Sequence, residues 1–312
     1  MSYTVTAFYR FTPLADASAC HNAYKRALAP LGLCGTLLVA PEGINGTIAG
    51  SPDAIEMMLS ILHEQTGLLR QEVKFSSAHD KPFNRLKIRL KREIITFNQP
   101  TADPSLLPGT YVAPRDWNRL LDDPEVTILD TRNLYETAIG KFANASDPQI
   151  ENFTDFAAYV RSRLDPAKNK KIAMYCTGGI RCEKASAFMR AEGFDEVYHL
   201  QGGILRYLEE VPESESRWEG DCYVFDKRMA VGHGLATGEY SMCSCCGYPL
   251  SASDLMHPLY EAGVSCVYCH GKTSNADKAR FRERQRQISA SGKAVPQNRD
   301  IVQAAVKTDP PG

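Results

Sequence analysis

Cys176 and Arg181 enclose the stretch Thr177-Gly178-Gly179-Ile180. Those residue types at that spacing suit one kind of chemistry, the holding of a negatively charged sulfur. The thiolate rather than the thiol is the nucleophile. Adjacent glycines let a backbone curl until successive N–H groups point into a shallow bowl. A helix that starts beside the bowl adds the positive end of its dipole, and Arg181 adds a full charge. All three favour ionised Cys176, and the same cradle suits a persulfide or another bound anion. A cysteine at a strand end is, by itself, more often a small buried residue. The pattern Cys-x-x-Gly-x-Arg sets Cys176 apart as a nucleophile with Arg181 as its charged partner. Cys182 has two readings: a resolving thiol for Cys176, or a small residue on the inner face of the helix. Glu183 and Lys184 read as first-turn helix residues rather than catalysts.

A second group of thiols lies downstream. Cys243-x-x-Cys246 and Cys266-x-x-Cys269 are separated by residues 247 to 265. Two such pairs at this interval match a structural zinc site with four thiolate ligands. Cys245 offers an alternative ligand, and His257 and His270 are spare candidates. A closed set of four cysteines leaves no open position for catalysis. A lobe this small has little core of its own, so a metal would stabilise it.

Two stretches carry concentrated positive charge. In Arg85-Leu86-Lys87-Ile88-Arg89-Leu90-Lys91 cations alternate with aliphatics. On a strand, Leu86, Ile88 and Leu90 would face the core, with Arg85, Lys87, Arg89 and Lys91 on the other side. Such a strand is either a solvated edge or a contact for RNA phosphates. The second stretch, Lys278 to Arg286, contains Arg280, Arg282, Arg284 and Arg286 around a single aromatic, Phe281. It has the pattern of a basic helix that orders on RNA.

The elements that must position these groups follow from punctuation and periodicity. Thr4–Phe11 reads as a strand and Ala17–Leu31 as a helix. Pro41-Glu42-Gly43-Ile44-Asn45-Gly46 lies between two short apolar runs and predicts a hairpin. Ser51-Pro52-Asp53 predicts a helix start, running to about Gln65, and a further strand is expected over 85–97. The order β-α-β-β-α-β predicts a ferredoxin-like or acylphosphatase-like α+β domain over 1–97. Residues 98–111 read as a linker with several prolines. From 112 to 218 the apolar strands 126–130, 172–176 and 197–200 alternate with helical segments. That predicts an α/β domain with a parallel sheet whose chemistry sits at the carboxyl ends of the strands. Residues 219–275 form the cysteine-rich zinc lobe, and 276–312 a basic tail.

Length and composition set the outer bounds. A chain of 312 residues is too long for a single ordinary core. Its 43% hydrophobic and 23% charged content match a folded globular protein. A net charge of −1 leaves no global bias towards nucleic acid or membrane, so any such surface must be local. No apolar run is long enough to span a membrane, and the start lacks the pattern of a secretory signal. With ten cysteines in uneven clusters, this points to a reducing, cytoplasmic setting and to thiol and metal chemistry rather than disulfides. No flavin, haem or non-haem iron pattern is evident.

The loop from Cys176 to Arg181 resembles the active-site loop of rhodanese domains. Asp130-Thr131-Arg132-Asn133-Leu134-Tyr135-Glu136 and Leu200-Gln201-Gly202-Gly203 resemble two further segments of that fold. Dual-specificity phosphatases place five residues between Cys and Arg. Four stand here, and the smaller loop suits sulfur better than phosphate. The extension through Arg181-Cys182-Glu183-Lys184-Ala185-Ser186 narrows the match. So do Gly220-Asp221-Cys222-Tyr223-Val224-Phe225-Asp226, Val231-Gly232-His233-Gly234-Leu235, the hairpin at 41–46 and the paired cysteines. Together they resemble the tRNA uridine hydroxylase family over roughly Tyr3 to Cys269. The resemblance implies an oxidoreductase that uses molecular oxygen to form 5-hydroxyuridine at the wobble position of tRNA, with Cys176 as the essential residue. The loop chemistry alone points instead to sulfur transfer on a Cys176 persulfide. A third reading is an RNA-binding module in which Cys176 senses redox state.

Overall fold

The run Tyr3–Phe11 alternates apolar and polar residues and forms strand β1. Its even positions turn Phe8 into a core with two helices, and its odd positions carry Val5, Ala7 and Tyr9 to the opposite face. The computed structural model describes residues 2–226 and 228–290. It resolves the chain into two compact units, one through Asp226 with Gly232–Ala236 and the other from the remainder. Residues 291–312 of the expected basic tail lie outside the described residues.

In the first unit, helix α1 (Ala17–Leu28) is capped by Asp16 and helix α2 (Pro52–Thr66) by Ser51, as the Ser-Pro-Asp signal predicts. Between them β2 (Cys34–Ala40) and β3 (Gly43–Gly50) form the expected hairpin. At its turn Gly43 has φ of 139°, and a Cβ there would lie 2.0 Å from the Arg10 carbonyl oxygen, so only glycine fits.

The predicted sixth element is resolved differently. Strand β4 (Lys74–Ala78) pairs antiparallel with β1, and β5 (Leu86–Leu90) pairs parallel with β2, giving the order β4-β1-β3-β2-β5. The strand expected over 85–97 therefore ends at Leu90 and is an added edge strand. β4 takes the place of the last strand of the α+β unit. It escapes a sequence reading because its lysine and serines give little apolar alternation. Leu86 and Ile88 pack against the core, but Leu90 is exposed, since an edge strand has cover on one side only.

The second sheet is parallel, with β6 (Thr110–Val112), β7 (Val126–Asp130), β9 (Lys171–Tyr175) and β10 (Glu196–Leu200) in the order β6-β10-β9-β7. Strand β8 (Gly140–Phe142) pairs instead with β11 (Trp218–Gly220). Helices α3 (Pro114–Leu121), α4 (Leu134–Thr137), α5 (Phe156–Arg163), α6 (Ile180–Ala191) and α7 (Gly203–Glu210) complete the domain. Phe97, expected to end the first domain, and Ala102 of the expected linker are both buried in this domain's core, Phe97 stacking on Phe153 at 4.5 Å between ring centroids. Every residue of α6 from Arg181 to Met189 is buried. Its polar members consequently need partners, because a buried polar group without one costs about 1–3 kcal/mol.

In the second unit a small hairpin pairs Ser241–Met242 with Pro249–Leu250, and a helix spans Asn275–Ala290. Among the described residues no helix is long and apolar enough to cross a membrane.

Candidate active site and metal centre

Cys176 follows β9, a central strand, and α6 begins four residues later. This is the crevice at the carboxyl ends of parallel strands where α/β sheets place ligands. Gly179 takes a left-handed φ of 100° and donates its N–H to Cys176 Sγ at 3.1 Å. The carbonyls of Cys176 and Thr177 are held by the Ile204 and Leu205 N–H groups at the start of α7. A Cβ at Gly203 would lie 2.4 Å from the Cys176 carbonyl oxygen, which explains the Gly-Gly turn. The bowl predicted from the loop glycines is thus built by two helix starts.

Burial alone would raise the Cys176 thiol. The Cys182 thiol, the Arg181 charge and the N–H groups of Cys182 and Gly179 outweigh it and bring Cys176 down to about 5. Cys182 is displaced the other way, first by burial and then by its hydrogen bond with Cys176 and the charge on that sulfur. It is fully buried and lies 3.5 Å from the Thr131 hydroxyl. Cys182 is thus a buried residue on the inner face of the helix and also a direct neighbour of Cys176.

Arg181 is placed less simply than expected. Its guanidinium forms a bidentate pair with Glu136 at 2.6 and 2.8 Å, and Thr177 Oγ1 donates to the same carboxylate at 3.2 Å. Burial would raise Glu136, yet the Arg181 charge and hydrogen bonds hold it below the usual carboxylate range. The arginine charge is therefore largely matched by a carboxylate on α4. Arg132 is spent on scaffold: fully buried, it pairs with Asp130 and donates to the Gly140 carbonyl at 2.6 Å.

Several groups around the bowl escape a reading of the sequence. Ala7 on β1 stands opposite Lys74 on β4, and Tyr9 lies two residues further along the same face. That face meets the loop. Lys74 Nζ donates to the Gly178 carbonyl at 2.8 Å and lies 5.6 Å from the Tyr9 ring centroid. Tyr9 donates to Glu183 Oε1 at 3.0 Å, and Tyr111 donates to Glu183 Oε2 at 2.6 Å. A Cβ at Gly179 would lie 2.8 Å from the Tyr9 hydroxyl. Lys184 pairs with Glu42 at 2.9 Å and with Glu93, and donates to the Ile95 carbonyl. Glu183 and Lys184 are more than first-turn helix residues, for they fasten the N-terminal sheet over the cysteine loop. Their adjacency just after the loop was the available signal. Nothing near Lys74 marked it.

In the second unit, the Cys243, Cys246, Cys266 and Cys269 sulfurs all lie within 4.8 Å of one another. Individual pairs are separated by 4.0 Å (Cys243–Cys269), 3.6 Å (Cys246–Cys266) and 3.7 Å (Cys266–Cys269). A tetrahedron with zinc–sulfur bonds of 2.3 Å has edges of about 3.8 Å, so the set fits that ion. Gly247, with φ of 77°, turns the first pair, its N–H donating to the Cys243 carbonyl at 2.8 Å. The second pair turns through His270, whose N–H donates to the Cys266 carbonyl. Cys245, His257 and His270 fall outside the set.

The basic candidates divide. Arg85 and Lys91 are exposed, and Lys87 and Arg89 are half-buried on the edge strand. On the helix Asn275–Ala290, Arg280 pairs with Asp277, Arg282 with Glu261, and Arg286 with Glu283. Arg284 donates to the Gly263 carbonyl and lies over the Phe281 ring. The helix is thus less of a free positive surface than its composition suggests.

The chain matches two family models, "UPF0176 acylphosphatase like domain" over residues 3–94 and "Rhodanese-like domain" over 113–210. A protein of Deinococcus radiodurans named tRNA uridine(34) hydroxylase is 51% identical, with 92% of this chain and 95% of the relative covered. Relatives of the same name from Sinorhizobium fredii and Brucella ovis are 50% and 48% identical, covering 93% and 94% of this chain and 93% and 96% of their own.

Proposed function

Because the chain belongs to the tRNA uridine(34) hydroxylase family, we propose that it hydroxylates the wobble uridine of tRNA with molecular oxygen, using Cys176 as nucleophile. The observation that carries this reading is identity of about half the residues with relatives of that name over nearly the whole chain. The loop geometry agrees with it. Addition of an ionised Cys176 sulfur to C6 of the uracil ring would move an electron pair onto C5 and O4. C5 then attacks oxygen to give a C5 hydroperoxide. Two electrons and two protons from a reductant of the thiol class would cleave its O–O bond, releasing one oxygen as water and leaving the other as the C5 hydroxyl. Loss of the C5 proton with expulsion of the thiolate restores the ring. The N–H bowl and Arg181 hold the thiolate before addition and receive it again afterwards. Cys182 is the resolving thiol if a persulfide or disulfide forms on Cys176 during turnover.

Substrate RNA would dock on Arg85, Lys87, Arg89 and Lys91 through its phosphates, with Arg280, Arg282, Arg284 and Arg286 as a second contact. The four-cysteine set would hold a structural zinc ion that stabilises its lobe and takes no part in the reaction. The cytoplasm, where tRNA and reduced thiols occur together, is the proposed site of action.

Nucleosides from a strain lacking the protein, complemented with the wild type or Cys176→Ser, test the proposal by mass spectrometry. Wild type is expected to restore 5-hydroxyuridine and its derivatives, carrying heavy oxygen when grown under labelled O2. Nucleosides unchanged by the deletion would sink the hydroxylase reading, and rescue by the Ser variant would sink the role of Cys176. Sulfur transfer is the second reading, favoured by the anion-binding bowl around a thiolate that has a neighbouring thiol. It requires sulfur-labelled acceptor in place of oxygen-labelled nucleoside.

A further inference from the structure

Summed over the charged side chains at the bowl, the central domain offers no excess of positive charge. Arg181 is matched by Glu136 and Arg206 by Glu210, and Glu183 adds a carboxylate held by Tyr9 and Tyr111. The remaining cation comes from the other sheet. Lys74 Nζ reaches the Gly178 carbonyl at 2.8 Å, and among the described residues it forms no ion pair. We propose that Lys74 is a positioning residue of the active site, whose ammonium fixes the Gly178–Gly179 turn and supplies the unmatched positive charge that keeps Cys176 ionised beside Glu183. The N-terminal domain would then be half of the catalytic centre as well as a platform for RNA.

Three further observations support this. Register places Lys74 and Tyr9 on one face of the N-terminal sheet, so both arrive together. Tyr9 closes against Gly179, the residue whose N–H points at the sulfur, and at the same time holds Glu183. Enclosure lowers Lys74 to about 8, with Cys176 pulling it up, Arg206 pushing it down, and Glu183 and Glu209 pulling it up. The groups facing the pair are therefore Tyr9 on β1, Tyr111 on β6, Glu136 on α4, Arg181, Cys182 and Glu183 on α6, and Arg206 and Glu209 on α7. Glu183, raised by burial first and by the Cys176 charge among its other neighbours, opposes ionisation of Cys176. Lys74 and Glu183 should consequently act on the sulfur with opposite sign.

The inference deepens the hydroxylase reading but rests on it only where tRNA is concerned, so its first test needs no RNA. Thiolate absorbance of the full-length protein is titrated for wild type, Lys74→Met, Lys74→Arg and Glu183→Gln. Each is read as the difference from the same protein carrying Cys176→Ser. Lys74→Met should raise the Cys176 midpoint by roughly one to two pH units. Lys74→Arg should stay close to wild type, and Glu183→Gln should lower the midpoint. A natively folded Lys74→Met with an unchanged midpoint overturns the proposal, as does an equal rise in the Met and Arg variants. If the Met variant fails to fold, Glu183→Gln decides: no downward shift in that variant also overturns it. With tRNA, Lys74→Met should lose turnover at neutral pH and regain part of it at higher pH, a recovery that a merely loosened domain contact would not give. If the midpoints shift as expected while no protein hydroxylates tRNA, Lys74 keeps its role and the reaction assigned to the site falls.

Discussion

Cys176 faces backbone N–H groups and one neighbouring thiol, whereas Cys243, Cys246, Cys266 and Cys269 face one another. The first sulfur is favoured as an anion by groups of fixed geometry on the loop and the first turn of α6. The second set brings four sulfurs to mutual distances of 3.6 to 4.8 Å, where several thiolates can be tolerated only with a cation between them. One centre would use the fold to make a thiolate reactive, while the other would use thiolates to make a fold. Exposure does not distinguish them, since Cys176 and Cys266 are equally buried. What would separate them is whether the surrounding charge belongs to the protein or to a bound ion.

That contrast is broken most forcefully at the metal centre. Cys246→Ser should cut bound zinc from near one equivalent to a small fraction. The lobe would then lose a large part of a stabilisation of about 10 kcal/mol, seen as rapid proteolysis after residue 237. Thiolate titration at Cys176 should be unaffected if the centres are independent. The converse variant, Cys176→Ser, should lower hydroxylation on the order of a thousandfold or more while leaving the zinc content intact.

Glu136→Gln sharpens the comparison by making the cysteine loop carry uncompensated charge. Breaking the buried pair with Arg181 should destabilise the first unit by about 3 kcal/mol, measured by denaturant unfolding. It should also push the Cys176 midpoint further down.

The pH dependence follows from the depressed Cys176 value. Ionised Cys176 stabilises the native state fully above the ordinary thiol value, and that contribution is lost as pH falls towards about 5. In the native protein, modification of Cys176 by iodoacetamide should be near its plateau at neutral pH. The unfolded chain should still gain rate up to about pH 8.5, the ordinary thiol value. The smallest effect is expected on the edge strand. Arg85→Ala or Lys91→Ala should weaken tRNA binding roughly threefold and reduce its salt slope by about one, with the thiolate titration unchanged.

Local pattern carried much of this. Cys-x-x-Gly-x-Arg marked the bowl because only glycine takes the Gly179 backbone conformation, and the helix start follows at once. The spacing of the two cysteine pairs marked the metal centre because each pair is a single tight turn. The hairpin at 41–46 and the cap at Ser51 were legible for the same reason, since turns and caps are set by residues a few positions apart. Strand β4 was not legible: Lys74 to Ala78 pairs with a strand some seventy residues earlier and has no alternation of its own.

The sequence by itself therefore pointed to a candidate nucleophile, its N–H cradle, four candidate metal ligands and an order of domains, all of which depend on short-range chemistry. Only the tertiary structure decided where the charges go. It matched Arg181 to Glu136 across a separation of 45 residues and brought Lys74 to Gly178 across 104. It also gave Glu183 and Lys184, read from the sequence as first-turn helix residues, buried partners on the N-terminal sheet and beside it. The physical reason is that a buried charge takes its strength from whichever group packing places beside it, and the local sequence does not name that partner.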